Sequence, residues 1–203
     1  MDVLTLRSTE TSPFGRKVRI AIDVLGLGDR ISVVAANTLD DNDTLRQQNP
    51  LGKMPCLLLP DGGVIYDSGV IIEYLQELVG TDRLLPVRGP ERYRKLTLAR
   101  LADGITEAGL LMVYEGRFRD SATTAERWLA HQRGKVTRAL AAFERDPPPP
   151  DVTDIVSIGL SCALGYLDWR EPVAWRRGHP RLVQWLDDFA RHEAAFDRTG
   201  AHS

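Results

Sequence analysis

The first part of the chain alternates between apolar runs of strand length and one stretch in which apolar residues recur at helix spacing. Val3 to Leu6 and Ile31 to Ala35 are short β-prone runs, and the stretch between them predicts an amphipathic helix beginning at Pro13. Ser12 and Pro13 suit the N-cap and the first helical position, and Gly26 suits the helix stop. A strand, a helix and a strand in this order predict a right-handed parallel βαβ unit.

A hairpin and a further helix are predicted next. The polar segment from Asp40 to Gln48 favours a short helix. Pro55 to Leu59 and Val64 to Tyr66 are strand-like runs separated by PDGG, which is a strong hairpin signal. Ser68 to Val79 then has helix periodicity. Residues 1–79 therefore predict an α/β domain in which a βαβ unit precedes a ββα unit.

The rest of the chain carries only helical patterns. Residues 80–90 are punctuated by Pro and Gly and predict a linker, so residues 91–203 are expected to form an all-helical second domain. Asp151 followed by Asp154 predicts a helix cap whose second carboxylate lies in the first turn. The predicted helices span Glu91 to about Arg117, Thr123 to Glu144, Ile155 to Trp169 and Pro180 to His192.

Composition and charge restrict the kind of partner. Of 203 residues, 43% are hydrophobic and 27% charged, and the net charge of -2 gives no electrostatic reason to expect nucleic acid or an anionic membrane. The basic residues Arg16, Lys17 and Arg19 are expected to form a solvated helix face. No apolar run reaches the roughly 18 residues of a membrane span. With no signal-peptide layout at the N-terminus, a cytoplasmic location is expected.

The two cysteines, Cys56 and Cys162, both lie in apolar sequence. They lack CxxC spacing and have no companion His cluster, so neither a disulfide framework nor a metal site is predicted. Both are expected to be buried, unreactive thiols, because an apolar setting raises the pKa of a thiol.

Two short segments offer groups that could hold a small peptide. Pro55 interrupts regular strand pairing and so leaves the main chain of Met54 available. Asp67 and Ser68 open a helix, where free amide groups attract an anion. Each feature also has a plain structural interpretation: Pro55 as strand entry, Ser68 as a helix cap, and Lys53 as a solvated side chain.

At this point the residues resemble a known family over essentially the whole chain, the glutathione S-transferase superfamily. The resemblance rests jointly on TSPFGRKVRIA from Thr11, NPLGKMPCL from Asn49, DSGVIIEYL from Asp67 and the helix at Asp154. LADGITEAGL and SCALGYLDWR look most like a bacterial, YibF-like subgroup. The resemblance implies a thioredoxin-like N-terminal domain and an all-α C-terminal domain.

The resemblance also implies a glutathione site. It implies a cis Pro55, with the main chain of Met54 pairing with the cysteinyl part of glutathione. Ser68 would take the γ-glutamyl carboxylate, Asp67 the γ-glutamyl amine and Lys53 the glycyl carboxylate. No metal is implied.

The hydroxyl that would meet the sulfur is less well defined. Serine-type family members place it immediately before a Pro-Phe pair, which corresponds to Ser12, and Thr9 and Thr11 are nearby substitutes. From the residues alone, the interpretation of Ser12 as an ordinary N-cap is favoured over a catalytic one. The turn contains no cysteine, which argues against thiol-exchange chemistry.

The function implied is conjugation of the glutathione thiolate to a small hydrophobic electrophile, as in detoxification. A noncatalytic glutathione-binding or regulatory protein, and a glutathione-dependent isomerase or peroxidase, remain alternatives, because fold does not dictate function. The resemblance further implies a homodimer, in which Asp103 could approach the partner's glutathione. Ala108, Leu111, Met112 and Tyr114 are candidates for lining the co-substrate pocket, although residues with this helical spacing usually belong to the core.

Overall fold

The computed structural model describes residues 3–120 and 125–200 of the chain. The strands are β1 Leu4–Arg7, β2 Ile31–Val34, β3 Cys56–Leu58 and β4 Val64–Tyr66. The helices are α1 Pro13–Val24, α2 Leu45–Gln48, α3 Ser68–Val79, α4 Pro90–Phe118, α5 Glu126–Arg145, α6 Ile155–Arg170, α7 Pro180–His192 and α8 Ala194–Arg198. The predicted start of the fifth helix, Thr123, lies outside the described residues.

The chain divides into two compact units. The first comprises residues up to Arg88 together with those from Ala195 onward, and the second is Gly89–Ala194. The predicted linker, residues 80–90, is largely tied to α3 through Gln76. Its side-chain Oε1 accepts hydrogen bonds from the amides of Leu84 and Leu85 at 2.9 and 2.7 Å, and its Nε2 donates to the Leu85 carbonyl at 2.7 Å.

The first unit is built on a four-stranded mixed sheet in the order β2, β1, β3, β4. β1 is parallel to β2, as the predicted βαβ unit requires, and antiparallel to β3, with Leu6 opposite Leu57. β3 and β4 form the predicted hairpin, with Leu57 opposite Ile65. The core is continuous from sheet to helices, since Leu6, Leu57, Ile20 of α1 and Ile71 of α3 have no exposed surface.

The helix predicted from Asp40 to Gln48 is shorter in the structure, where α2 begins at Leu45. Its expected first half forms turns stabilised by acidic side chains. Asp40 Oδ1 accepts from the Asn42 amide at 2.9 Å, and Asp43 Oδ1 accepts from the Leu45 amide at 2.7 Å. Short acidic side chains compete with helical main-chain bonds in this way, which is why the polar segment is only partly helical.

The short C-terminal helix α8 is held against α1 within the first unit. Arg16 of α1 donates to the Phe196 carbonyl at 2.6 Å, and its guanidinium carbon lies 4.0 Å from the centre of the Phe196 ring. Arg198 forms an ion pair with Asp23 at 2.6 Å. The sequence pattern did not predict this attachment, because it placed residues 91–203 together.

The prediction of a solvated basic face on α1 is wrong for Lys17. Its side chain has no exposed surface, whereas Arg19 is half-buried. Position 17 shares a helix stripe with Pro13, Ile20 and Ala21, which are all buried, so the helix geometry carries the lysine inward.

The second unit is helical, with α6 at its centre and packed against α4. Every residue from Ile155 to Leu164 is buried. Asp154 is itself the N-cap of α6, not a first-turn residue as predicted, and Asp151 is exposed outside the helix. Asp154 Oδ1 accepts from the amides of Val156 and Ser157 at 2.8 and 3.0 Å, and Ser157 Oγ accepts from the Asp154 amide at 2.9 Å, completing a capping box.

The described ranges lack two kinds of feature. None of the helices there combines the length and the apolar character that crossing a bilayer requires. Among the side chains of residues 3–120 and 125–200, no group of three or more His, Cys, Asp or Glu is arranged to hold a metal ion.

Candidate functional site

The N-terminus of α1 presents Ser12 as its N-cap. Ser12 Oγ accepts a hydrogen bond from the Gly15 amide at 3.0 Å, and Pro13 occupies the first helical position. The capping bond uses the oxygen as an acceptor, so the hydroxyl proton of Ser12 is available to donate to a ligand. The α1 N-terminus adds a partial positive charge at the same place, which favours an anion.

The other hydroxyls of this turn have different environments. Thr9 Oγ1 lies 3.1 Å from Thr11 Oγ1 and 3.4 Å from the sulfur of Met54. Thr11 is exposed. Ser8, which the sequence interpretation passed over, is almost fully buried and lies close to Gly15, where a Cβ would approach Ser8 Oγ to 1.9 Å. Gly15 therefore leaves the room that the Ser8 side chain occupies.

The loop before β3 is organised by Asn49, a second residue to which sequence reasoning gave no role. Asn49 is 2% exposed, and its side-chain amide donates to the Lys53 carbonyl at 2.8 Å. Its Oδ1 accepts from the Leu51 amide at 3.0 Å, and its carbonyl accepts from the Gly52 amide at 2.8 Å. Gly52 adopts a left-handed φ of 59°, which a glycine tolerates without strain.

The predicted binding residues of this loop, Lys53, Met54 and Pro55, are consecutive in the chain. The Met54–Pro55 peptide bond is cis, as the family resemblance implied. Met54 packs against Leu45 and Cys56, and within the described residues no hydrogen bond reaches its main-chain N–H or carbonyl. The Lys53 side chain is exposed and has no ion-pair partner in the same residues. These groups remain available to a bound peptide.

The helix cap at α3 differs from the prediction, because Asp67 and not Ser68 is the N-cap. Asp67 Oδ1 accepts from the amides of Gly69 and Val70 at 2.8 and 3.2 Å. Asp67 has the non-helical backbone that an N-cap needs, with φ 75° and ψ 125°, whereas Ser68 is already helical. A φ of this sign is uncommon outside glycine and is often found at functional sites.

Ser68 is buried and contacts Lys17 of α1. The Lys17 ammonium donates to Ser68 Oγ at 3.3 Å, and Ser68 is 4% exposed. Because the lysine supplies a donor, the serine oxygen acts as the acceptor and the serine proton can point toward a ligand. Lys17 is the main site residue that sequence reasoning missed. The available signal was its position on the buried stripe of α1.

Two contacts bring the three predicted segments together. The Thr9 to Met54 contact joins the turn before α1 to the loop before β3, and the Lys17 to Ser68 bond joins α1 to the start of α3. The sheet register supports this arrangement, since Arg7 at the end of β1 is opposite Cys56 at the start of β3. The result is one patch of the first unit with two helix N-termini, unpaired main-chain groups and several hydroxyls.

The Cys56 thiol is buried beside the patch, as the sequence predicted. Burial raises the pKa of the Cys56 thiol, and the Arg7 guanidinium only partly offsets this. Arg7 is itself paired with Asp43 at 2.7 Å. Two main-chain amides, those of Asn37 and Leu45, together with Arg7, lower the pKa of Asp43. Cys56 is therefore an unreactive core residue beside the patch, and Cys162 is likewise buried.

The residue predicted to approach a partner's ligand, Asp103, lies on α4 in the second unit. Its carboxylate is 3.1 Å from the Arg100 guanidinium. Of the co-substrate candidates, Ala108 and Met112 are buried, whereas Leu111 and Tyr114 are half-buried. Ala108 and Met112 therefore belong to the core of the helical unit.

Comparisons with known proteins match this arrangement over nearly the whole chain. A family described as glutathione S-transferase, N-terminal domain, matches residues 11–78. The uncharacterised GST-like protein YibF of Escherichia coli is 32% identical over 201 residues, which are 97% of this chain and 98% of YibF.

Solved structures give the same result. A glutathione transferase family member from Pseudomonas fluorescens Pf-5, crystallised with bound glutathione, is 39% identical with a TM-score of 0.92, covering 98% of this chain and all of that one. A glutathione S-transferase from Methylobacterium radiotolerans, in complex with glutathione sulfonate, is 33% identical with a TM-score of 0.86, covering 98% of this chain and 96% of that one.

Proposed function

Because this chain belongs to the glutathione S-transferase superfamily, within a YibF-like group, we propose that it is a glutathione transferase. It binds glutathione on the patch formed by the turn before α1, the loop before β3 and the start of α3. It conjugates the glutathione thiolate to a small hydrophobic electrophile.

The observation that carries this proposal is the pair of contacts that hold the three segments in one patch. Thr9 contacts the Met54 side chain while the Met54 main chain stays unpaired, so an extended peptide could pair with it in the manner of a strand. Ser68 is fixed by Lys17 at a helix N-terminus, a setting that suits the γ-glutamyl carboxylate. One relative crystallised with bound glutathione and another in complex with glutathione sulfonate support a ligand of this kind.

The remaining binding roles follow from charge. Asp67 is exposed and places a carboxylate at the start of α3, which suits the γ-glutamyl amine. Lys53 is exposed beside Met54 and suits the glycyl carboxylate. Neither role requires a metal.

In the chemical step, Ser12 donates its hydroxyl proton as a hydrogen bond to the glutathione sulfur. Together with the α1 N-terminus, this stabilises the thiolate, so more of the thiol is ionised at neutral pH. The sulfur then forms a bond to an electrophilic carbon. A leaving group such as chloride departs with its electron pair, or, in an addition, the new carbanion takes a proton from water. The protein contributes positioning and charge stabilisation.

Two measurements test the proposal. Calorimetry with glutathione is expected to detect binding in the micromolar to millimolar range, and a conjugation assay with a chlorodinitrobenzene is expected to detect turnover. Absence of glutathione binding would overturn the proposal. Binding without turnover of any electrophile would favour the noncatalytic, regulatory alternative, and turnover only of peroxides or isomerisable substrates would favour the isomerase or peroxidase alternative.

Assembly and location are part of the proposal. The family resemblance favours a homodimer. Both cysteines are buried thiols, which suits a reducing compartment such as the cytoplasm.

A further inference from the structure

Lys17 of α1 is a buried cation whose ammonium lies against the start of α3. Its side chain has no exposed surface, and the ammonium donates to Ser68 Oγ at 3.3 Å. Lysine is rarely buried, because removing an ammonium from water costs free energy that polar or charged groups must offset. The other buried positions of this helix stripe are apolar, as at Ile20 and Ala21. Packing alone is therefore served better by an apolar residue at position 17.

The bond to Lys17 fixes the role of the Ser68 hydroxyl. An ammonium has only donors, so the Ser68 oxygen accepts from it and the Ser68 proton is left to donate elsewhere. Among the residues that the structure describes, no acceptor receives this proton. A hydroxyl held by a charged donor is polarised and forms a stronger bond with an anion than with a neutral acceptor. Ser68 is thus prepared to donate to an anion.

The main chain supplies a second donor at the same residue. Asp67 caps α3 and occupies the amides of Gly69 and Val70 at 2.8 and 3.2 Å. The amide of Ser68, the first residue of α3, has no acceptor within residues 3–120 and 125–200. Hydroxyl and amide of one residue suit the two oxygens of one carboxylate, and the partial positive charge of the helix N-terminus favours it.

The charge of Lys17 acts on the group that Ser68 holds. An acceptor oxygen lies one further hydrogen bond, about 2.7 Å, beyond Ser68 Oγ, and so within roughly 6 Å of the ammonium. Lys17 and Ser68 are both buried, so water and salt screen this attraction only weakly. An uncharged group on Ser68 gains the hydrogen bond without the attraction. Lys17 therefore discriminates between ligands by charge.

The other lysine of the patch, Lys53, has a different setting. Its side chain is exposed. Arg46, whose side chain lies against Gly52, is already paired with Asp41 at 2.5 Å. Ion pairs that remain in water contribute little to affinity. Of the two lysines, only Lys17 is placed to impose a strong requirement for charge.

We propose that Lys17 is a positioning residue that acts through Ser68 and makes the α-carboxylate of the γ-glutamyl group the charge that this protein requires in its thiol ligand. Thiols that keep this carboxylate bind, whereas those without it bind poorly. The inference rests on the proposed function, because it concerns the same glutathione site, and it adds the residue that sets the requirement.

Three unreactive thioethers test the requirement by calorimetry. S-methylglutathione is the reference. The S-methyl derivative of 4-aminobutanoyl-cysteinylglycine lacks only the α-carboxylate, and that of γ-glutamylcysteine N-methylamide lacks only the glycyl carboxylate. In the unaltered protein, loss of the α-carboxylate is expected to weaken binding by about tenfold or more, as for a buried charged hydrogen bond. Loss of the glycyl carboxylate is expected to weaken it by about threefold at most.

Lys17→Met removes the charge and keeps an unbranched side chain of similar length. The affinity for S-methylglutathione is expected to fall about fivefold, whereas that for the analogue without the α-carboxylate stays within about twofold. A merely structural role would lower both affinities together. In a conjugation assay, KM for glutathione is expected to rise about fivefold while kcat stays within about twofold.

Ser68→Ala tests the same link from the α3 side, with a small change that suits the buried position. It removes the hydroxyl through which Lys17 acts, so discrimination between S-methylglutathione and the analogue without the α-carboxylate is expected to fall at least as far as in Lys17→Met. Lys135→Met is the control, because Lys135 is an exposed lysine of α5 in the other unit. It is expected to leave all three affinities unchanged.

Two results would overturn the role of Lys17: an equal loss of affinity for both ligands in Lys17→Met, or undiminished discrimination in Lys17→Met and Ser68→Ala. Binding of glutathione without discrimination in the unaltered protein would overturn this inference alone. Absence of glutathione binding to the unaltered protein would contradict the proposed function and, with it, the role of Lys17.

Discussion

We propose that Ser12 combines a structural and a chemical role in one hydroxyl. Its oxygen caps α1 by accepting from Gly15, and its proton remains for a thiolate. The two roles use different parts of the group, so a residue that is an acceptable N-cap but has no hydroxyl removes only the chemical role. Such a variant distinguishes the capping role of Ser12 from its proposed catalytic role, which the sequence pattern alone does not distinguish.

Replacing Ser12 tests the chemical role. Ser12→Gly is expected to lower kcat for conjugation by about a hundredfold, the usual effect of losing a donor to a developing anion. The Kd for glutathione should change by no more than about threefold, and because Gly is itself an acceptable N-cap, the free energy of unfolding should fall by only a few tenths of a kcal/mol. Ser12→Ala should lose the same activity and about 1 kcal/mol of stability.

Thr9→Val and Thr11→Val are the controls for this prediction, since Thr9 and Thr11 are the other hydroxyls proposed for the sulfur. Both variants should retain most of the conjugation rate. Unchanged turnover in Ser12→Gly would show that Ser12 has no part in the mechanism. Loss of turnover in Thr9→Val would instead assign the hydrogen bond to the sulfur to Thr9.

Asp67 also holds two possible roles. Its carboxylate caps α3, and we propose that it pairs with the γ-glutamyl amine. Asn is as good an N-cap as Asp and tolerates a positive φ, but it carries no charge.

Asp67→Asn therefore separates the two roles. The free energy of unfolding, from urea denaturation, should stay within about 0.5 kcal/mol of the unaltered protein, because the cap survives. Glutathione affinity, from calorimetry, should fall about tenfold, because a charged hydrogen bond is lost. Unaltered affinity would show that Asp67 is a helix cap only.

At the scale of elements, α6 depends on the cap at its start. Asp154 satisfies two main-chain amides with one carboxylate oxygen and pairs the other with Lys95 of α4 at 2.7 Å. The carboxylate is 9% exposed, so the ion pair is largely removed from water. One side chain thus connects the most buried helix of the unit to the longest one.

Asp154→Ala is expected to lower the free energy of unfolding by about 3 kcal/mol, because the cap is lost and the Lys95 ammonium is left without its partner. Asp154→Asn should lower the free energy of unfolding by less, since Asn retains the cap. Urea denaturation gives both values. Asp151 is an exposed acid just before the helix. Its replacement in Asp151→Ala should lower the free energy of unfolding by no more than about 0.5 kcal/mol. A comparable loss in Asp151→Ala would contradict the cap assignment.

At the scale of the whole molecule, the proposed assembly is a homodimer. Sedimentation at micromolar concentration is expected to give roughly twice the chain mass of 22.6 kDa. A single species at the mass of one chain would count against the dimer, and against a role for Asp103 toward a partner's ligand. Repeating the run with saturating glutathione would show whether assembly depends on the ligand.

Local patterns were enough to predict the order of strands and helices. The starts of α1, α3 and α7 agree with the predictions to the residue, because Pro at a first turn and helical periodicity act within a few residues. The PDGG hairpin was predictable for the same reason. The family motifs then implied the fold and the ligand class that the relatives have.

By itself the sequence determined the family, the element order and the segments that form the candidate site, since these depend on neighbours along the chain. Only the tertiary structure decided that Lys17 is buried against Ser68, 51 positions away, and that Asp67 takes the cap that Ser68 was expected to provide. It also joined α8 to α1. The physical reason is that burial and side-chain pairing depend on residues that only the fold brings into contact.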